Sequence, residues 1–254
     1  MARDFTKNTA NYMRLGINAI APLLNGKGAF SAHCWFNVDT LDTATNTDNR
    51  LFQVYVANGS SGFIFCIDAT PATDVFKVGA RSGSGDGFQT KSATSACGTG
   101  VWHSGGAVVD IAGDAITPYF NGVAEGGGAV TFGNATFTNG TPTTSFDAVG
   151  SDGAVAASQQ QTDGRIAEMA IWTEALTAIE FAYLAKGYAP FLVHNKGLIF
   201  YMPLIGVTSP EPDIVSAKLG TITGTVAAAA HPPIHSPSFG DFSQAESGLL
   251  VPMG

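Results

Sequence analysis

The sequence predicts an all-β chain, two antiparallel sheets packed as a jelly-roll sandwich, with one short helix and a proline-rich C-terminal arm. Three observations carry that expectation. Short apolar or β-branched runs alternate with Gly- and Asn-rich turns as far as Trp172. A single stretch, near Thr177–Lys186, combines helical apolar spacing with start and stop signals. Seven of the twelve prolines then fall within residues 203–254.

Taken in order, the expected strands are Tyr12–Ile17, Phe30–Val38, Arg50–Val56, Gly62–Asp68, Val75–Ala80, Ala107–Ile111, Ala115–Phe120, Ala129–Gly133, Phe146–Gly150 and Arg165–Trp172. Between them, Asn25-Gly26, Asn58-Gly59, Gly113-Asp114, Asn121-Gly122, Asn139-Gly140, Asp152-Gly153 and Asp163-Gly164 supply residues that tolerate positive φ. Thr177 followed by Glu180 is a capping box, so a helix opens there, runs to Lys186 and stops at Gly187. Leu176, Ile179, Phe181 and Leu184 are the apolar positions expected to face a sheet. Beyond Gly187, Gly197–Tyr201 reads as a strand and Thr221–Val226 as a weaker one. Proline cannot occupy central ladder positions, so residues 206–254 are expected to run as an extended arm, with residues 1–205 forming the sandwich. The run 197–204 is expected to fill a sheet edge, in its own subunit or in a neighbour.

Gly164, Arg165, Ile166, Glu168, Ile171, Trp172, Ala175, Leu176, Thr177 and Glu180 form a motif that resembles the closing motif of laminin-G-like domains. Phe30–Val38 with Trp35, then Trp102-His103 followed by Tyr119-Phe120-Asn121-Gly122, agree with that family in order and spacing. The resemblance spans roughly residues 5–235 and implies a concanavalin A-like lectin and glucanase fold. The downstream run from Gly197 to Leu204, with Ser209-Pro-Glu-Pro-Asp and His231-Pro-Pro, is similar to family members among phage and prophage structural proteins. The family often has an acidic pair where this chain has Ala167-Glu168, which weakens any transfer of a polar or metal site.

Composition narrows the function. Charged residues are 13%, Gly numbers 31, and the net charge is −8 with no cluster of Lys or Arg. Nucleic acid and anionic membrane surfaces both need a concentrated positive face, so neither is an expected partner. Cys34, Cys66 and Cys97 make an odd count without a Cys-x-x-Cys pair, which argues against a disulfide framework or a zinc site. Cys34 and Cys66 read as small core residues. No cleavable leader is expected, since Ile17–Leu24 is apolar but no small-residue cleavage site follows it. The triplets at Asn58, Asn134 and Asn139 read as polar turns.

Hydrolysis on this fold uses two Glu residues at even spacing on one strand, with carboxylates about 5 Å apart. The six Glu residues, at 125, 168, 174, 180, 211 and 246, include no pair two or four apart, so no catalytic residues are assigned and the chain is not expected to be an enzyme. No cofactor loop is present, because Gly83, Gly85 and Gly87 are not followed by a helix or a Lys-Ser/Thr pair. Sugar binding remains open without assigned residues: Asx groups cluster at Asp39, Asp42, Asn46, Asp48 and Asn49, and again at Asp152 and Asp163, in patterns that fit solvated turns better than a calcium loop. No metal site is expected. Trp35, Trp102 and Trp172 are expected in the core, His103 as a strand residue bonded to backbone, and His231 and His235 in a tail turn, since Pro232 and Pro233 forbid a helix that would bring both to one metal.

The expected role is therefore a non-enzymatic phage virion protein, a capsid decoration or other particle-surface component, with a lectin-like fibre or tail module binding host glycans as the alternative. Expected partners are other virion proteins, further copies of the chain and surface glycans, and the expected location is the virion. Phe239, Phe242, Leu249, Leu250 and Val251 are the expected anchors of the arm on a neighbouring subunit.

Overall fold

The computed structural model describes residues 2–7, 11–41, 48–54, 62–68, 74–83, 85–138, 146–152, 160–205 and 209–235. Within them the elements run β1 (Ala2–Phe5), β2 (Tyr12–Ile17), α1 (Ala21–Leu24), β3 (Ala29–Thr40), β4 (Asp48–Val54), β5 (Gly62–Asp68), β6 (Val75–Arg81), β7 (Gln89–Ala96), β8 (His103–Asp110) and β9 (Ala115–Phe120). They continue as β10 (Val123–Ala124), β11 (Gly128–Ala129), β12 (Phe146–Val149), β13 (Asp163–Trp172), α2 (Ala178–Ala185), α3 (Pro190–Val193), β14 (Leu198–Met202), β15 (Glu211–Pro212), β16 (Leu219–Thr223) and β17 (Ala227–Ala229).

Two antiparallel sheets stack as expected. One follows the order β10-β9-β8-β3-β13-β1-β17, with β11 also on β9 and β14 also on β13; the other runs β15-β16-β2-β12-β4-β5-β6-β7. The alternation in β3 shows why. Phe30, Ala32, Cys34, Phe36 and Val38 enter the core between the sheets, while Ser31, His33 and Trp35 turn to the outer side. Rings from both sheets meet in that core: Phe52 stacks on Phe200 at 6.1 Å between centroids, and Phe36 on Phe76 at 5.8 Å. Each buried Phe contributes about 1.5–3 kcal/mol relative to exposure.

Helix α2 lies on the outer side of the first sheet. Its capping box is present, with the Thr177 side chain accepting from the Glu180 N–H and Glu180 reaching back to the Thr177 N–H. Phe181 stacks on Tyr119 at 3.9 Å between centroids, above Gly106, where a Cβ would come within 2.5 Å of the Phe181 ring. Leu176, Phe181 and Leu184 are buried, but Ile179 is 69% exposed, so the sheet-facing stripe is narrower than its spacing suggested. Ser31 ties the helix entry to β3, donating to the Glu174 carbonyl and accepting from the Leu176 N–H. Two single-turn helices, α1 and α3, each with Pro in the first turn, join the expected one.

The C-terminal half of the expectation changes. Residues 211–229 do not run as an arm over the surface: β16 pairs with β2, β17 pairs with β1, and β15 pairs with β16. The prolines permit this because Pro210, Pro212, Pro232 and Pro233 stand at or beyond strand ends, and the strands between are short edges. Strand β14 pairs with Met169–Trp172 of its own chain. Residues 236–254, with the expected anchors Phe239, Phe242, Leu249, Leu250 and Val251, lie outside the described residues.

Three smaller differences have local causes. Ala129–Gly133 is not a strand beyond Ala129; its Val130 and Phe132 N–H groups bond instead to the carbonyl and carboxylate of Asp114. Strand β7, Gln-Thr-Lys-Ser-Ala-Thr-Ser-Ala, escaped the sequence because an edge strand burying only Ala93 shows no apolar alternation. Strand β1 was missed because its four residues are too few to show a period.

Candidate functional site

The outer face of the second sheet carries a groove of about 430 Å³ lined by Asp48, Arg50, Gln53, Ile64, Lys77, Arg81, Phe88, Thr90, Asp152 and Gln160. Strand register explains its shape. Directly opposed residues share a face, and one row reads Arg14, Ala148, Gln53, Ile64, Gly79 and Thr90 across five strand pairings. Ala148 and Gly79 leave this row low. A Cβ at Gly79 would lie 2.9 Å from Ile64 and 3.3 Å from Thr90, so any side chain there fills the floor between two lining residues.

The next rows supply charge. Lys77 bridges Asp48 at 2.5 Å and Asp68 at 3.1 Å, and Arg50 reaches Asp48 at 3.0 Å. Burial disfavours the Lys77 ammonium, but its surroundings, with Asp48 and Asp68 hydrogen-bonded to it, hold its pKa above the usual value. Burial raises the Asp152 carboxyl, with Arg50 opposing. Arg50 Nε donates to Gln160 Oε1 at 2.9 Å, while Arg50 Nη1 is buried with no hydrogen-bond acceptor among the described residues. Arg81 stacks on Phe88 at 4.8 Å, and Arg14 lies between Tyr12 at 4.7 Å and Phe146 at 4.2 Å. The groove thus offers forked donors, amides and carboxylates around a small apolar floor, which suits a ligand rich in hydroxyl groups.

The Asx clusters divide. Asp48 and Asp152, one from each, meet in the groove. Asp39 pairs with Arg165 at 3.3 Å, Asp163 accepts from the Lys7 N–H and the Thr40 hydroxyl, and Asn49 is fully buried; Asp42 and Asn46 lie outside the described residues. No group of three or more His, Cys, Asp and Glu residues fit to hold a metal occurs among the described residues. The three Cys are free and buried. Trp35 and Trp172 are buried, Trp102 packs beside Trp35, and His103 Nε2 lies 3.0 Å from the Gly98 carbonyl. His231 is not in an isolated turn: it stands 3.2 Å from Glu168. The cations of the groove escaped sequence reading because Lys77 and Arg81 of β6 meet Arg50 of β4 only through the register of the strand between them.

Comparison with known proteins agrees with this architecture. A protein from Bacteroides ovatus provisionally described as carbohydrate-binding is 18% identical with a TM-score of 0.62, over 92% of this chain and 61% of that one, so this chain spans less than two thirds of its length. The heptameric SAP-like pentraxin of Limulus polyphemus is 11% identical at a TM-score of 0.58, over 90% and 94%. The CBM40 of the Ruminococcus gnavus IT-sialidase, solved with α2,3-sialyllactose, is 15% identical at 0.54, over 72% and 96%. At these identities the likeness is one of fold. No curated protein matches the sequence. A laminin-G-like family model matches residues 8–182, and the chain belongs to the concanavalin A-like lectin/glucanases superfamily.

Proposed function

We propose that this chain is a non-catalytic glycan-binding module whose ligand lies in the groove of the eight-stranded sheet. The observation that carries the reading is the low row at Ala148 and Gly79 beneath a rim of Arg50, Gln53, Arg81, Phe88, Asp152 and Gln160. A recess of about 430 Å³ takes a sugar ring, and the rim can bond its hydroxyl groups. Relatives in fold that carry carbohydrate-binding descriptions support it. Asp48 is held in two ion pairs, which suits a structural role in the groove better than nucleophilic attack.

The test is calorimetric titration with a panel of acidic and neutral oligosaccharides, α2,3-sialyllactose among them. At least one should bind at about 1 mM or tighter, near −4 kcal/mol. Gly79→Val, which fills the floor and must displace Ile64, should weaken that binding at least tenfold, with the melting temperature measured alongside to confirm that the sandwich stays folded. Unchanged affinity in Gly79→Val sinks the assignment to the groove. Release of reducing ends from any bound oligosaccharide would overturn the non-catalytic part.

The setting we propose is the surface of a virus particle, with other virion proteins and further copies of this chain as partners. The similarity of Gly197–Leu204, Ser209–Asp213 and His231–Pro233 to phage structural proteins supports it. Quantitative mass spectrometry of purified particles tests it: a fixed ratio to the main capsid protein is expected, and absence from particles removes this setting while leaving the groove untouched.

A further inference from the structure

A second cavity, of about 420 Å³, opens on the outer side of the other sheet, lined by Glu168, Tyr201, Pro203, His231, Phe191 and Ile234 among others. It exists because β13 changes neighbours. Residues 164–166 pair with β1 and residues 169–172 with β14, and the bulge between them sets Glu168 at φ 54°. A non-glycine residue in the left-handed region is strained, and such strain gathers at functional sites. Here the Glu168 N–H is held by the Pro203 carbonyl at 3.2 Å, and the side chain is only 4% exposed at the cavity floor.

The polar lining is one-sided. Glu168 Oε2 accepts from the Tyr201 hydroxyl at 2.6 Å, and Glu168 Oε1 faces His231 Nε2 at 3.2 Å. The other groups near the His231 ring are the carbonyls of Pro203 at 3.4 Å and Pro232 at 3.2 Å. Burial, then the charge and hydrogen bond of Glu168, push the Tyr201 hydroxyl far above its usual pKa, so it stays a donor committed to Glu168. His33 beneath the floor is pulled down to about 3, chiefly by burial, and adds no positive charge. The Tyr201 hydroxyl and the His231 ring nitrogen therefore both face one carboxylate, which keeps about two of its roughly four lone-pair sites. The walls are apolar, with Phe191 and Ile205 each 45% exposed.

We propose that this cavity binds small organic ammonium ions, with Glu168 as counter-charge and the Phe191 ring as an apolar and cation–π wall. An acceptor-rich floor with aromatic walls favours a cation carried on an apolar body and disfavours anions. The net charge of −8 on the chain acts in the same direction at long range.

The test is titration of the full chain, followed by NMR, with benzylammonium, Nα-acetyl-lysinamide and the neutral isostere benzyl alcohol. Benzylammonium should saturate in the millimolar range, at least tenfold tighter than benzyl alcohol, and added salt should weaken only the charged probe. Binding of Nα-acetyl-lysinamide as well identifies a protein lysine as an eligible source; binding of benzylammonium alone identifies a free amine, and either supports the proposal. Phe191→Ala, at a half-exposed position whose ring stands 6.1 Å from that of Tyr201, should weaken benzylammonium severalfold, and Glu168→Gln should abolish the preference over benzyl alcohol. Equal affinity for benzylammonium and benzyl alcohol, no saturation by roughly 20 mM, or unchanged binding in Phe191→Ala overturns it. If Glu168→Gln does not fold, the Phe191→Ala and salt arms decide.

Discussion

Between the sheets, Phe30, Phe52, Phe63, Phe65 and Phe76 pack ring against ring, whereas the seam along which residues 198–205 and 209–235 join the sandwich adds buried polar contacts to apolar ones such as Phe200 against Phe52. There Arg3 of β1 pairs with Glu211 at 2.7 Å, their side chains 6% and 1% exposed, and Arg3 also reaches the Val226 carbonyl. Asp213 accepts from the N–H groups of Tyr201, Val215 and Ser216 and from the Ser216 hydroxyl. The two regions fail in different ways. Aromatic packing loses stability in proportion to volume removed, while a buried polar pair leaves its survivor uncompensated. Residues far apart in sequence are thereby brought together, which suits a C-terminal segment that must find the correct edges of both sheets.

The largest expected effect tests that contrast. Glu211→Ala should cost about 3–5 kcal/mol by taking the carboxylate away from the buried Arg3 guanidinium, and Arg3→Met with Glu211→Leu should recover most of it. Phe52→Ala should cost a similar 3–5 kcal/mol through its cavity, with no paired substitution to restore it. Chemical denaturation of the three variants reads the difference, and a double variant as unstable as Glu211→Ala removes the distinction. Asp213→Ala ranks next, at on the order of 2 kcal/mol, because four backbone donors, those of Tyr201, Val215, Ser216 and Lys218, lose their acceptor at once. Thr177→Ala should cost about 1 kcal/mol at the exposed capping box and leave the seam unaffected.

The same contrast explains what the sequence revealed. Alternation in β3 and the apolar or β-branched runs of β5, β9 and β13 are local signals, and the capping box at Thr177 lies within one turn, so these elements were legible. The seam was not, since Arg3 and Glu211 are 208 residues apart and neither carries a local mark of its partner. Prolines at 210, 212, 232 and 233 suggested an arm because their spacing shows only where strands must end. In the groove, Asp48 and Asp152 stood out as Asx turns, yet their meeting with Arg50, Lys77 and Arg81 depends on the register of β4, β5 and β6. Glu168 was noticed only as a departure from the family's acidic pair, because a bulge and a positive φ leave no trace in side-chain type.

Glu125 sharpens the comparison from the exposed side. From the loop after β10 it accepts the N–H groups of Thr94 and Ser95 at 2.9 and 2.7 Å and both hydroxyls at 3.0 and 2.9 Å, fastening edge strand β7 to the other sheet. Gly126 beside it is obligatory, since a Cβ there would fall 1.8 Å from the Ser92 carbonyl oxygen. Burial raises the Glu125 carboxyl, but the bonds from Ser95 and Thr94 outweigh it and its pKa is net lowered. A folded-state value below the unfolded one means the carboxylate stabilises fully above the unfolded glutamate value, about 4.3. That contribution fades as pH falls through the unfolded and then the folded value. With four bonds but little burial, Glu125→Gln should cost no more than about 1 kcal/mol at pH 7. Denaturation of both proteins from pH 7 to pH 3 should bring the two curves together at the acid end. A cost at pH 7 as large as that of Glu211→Ala would mean that the number of bonds, and not burial, sets the worth of polar contacts in this sandwich.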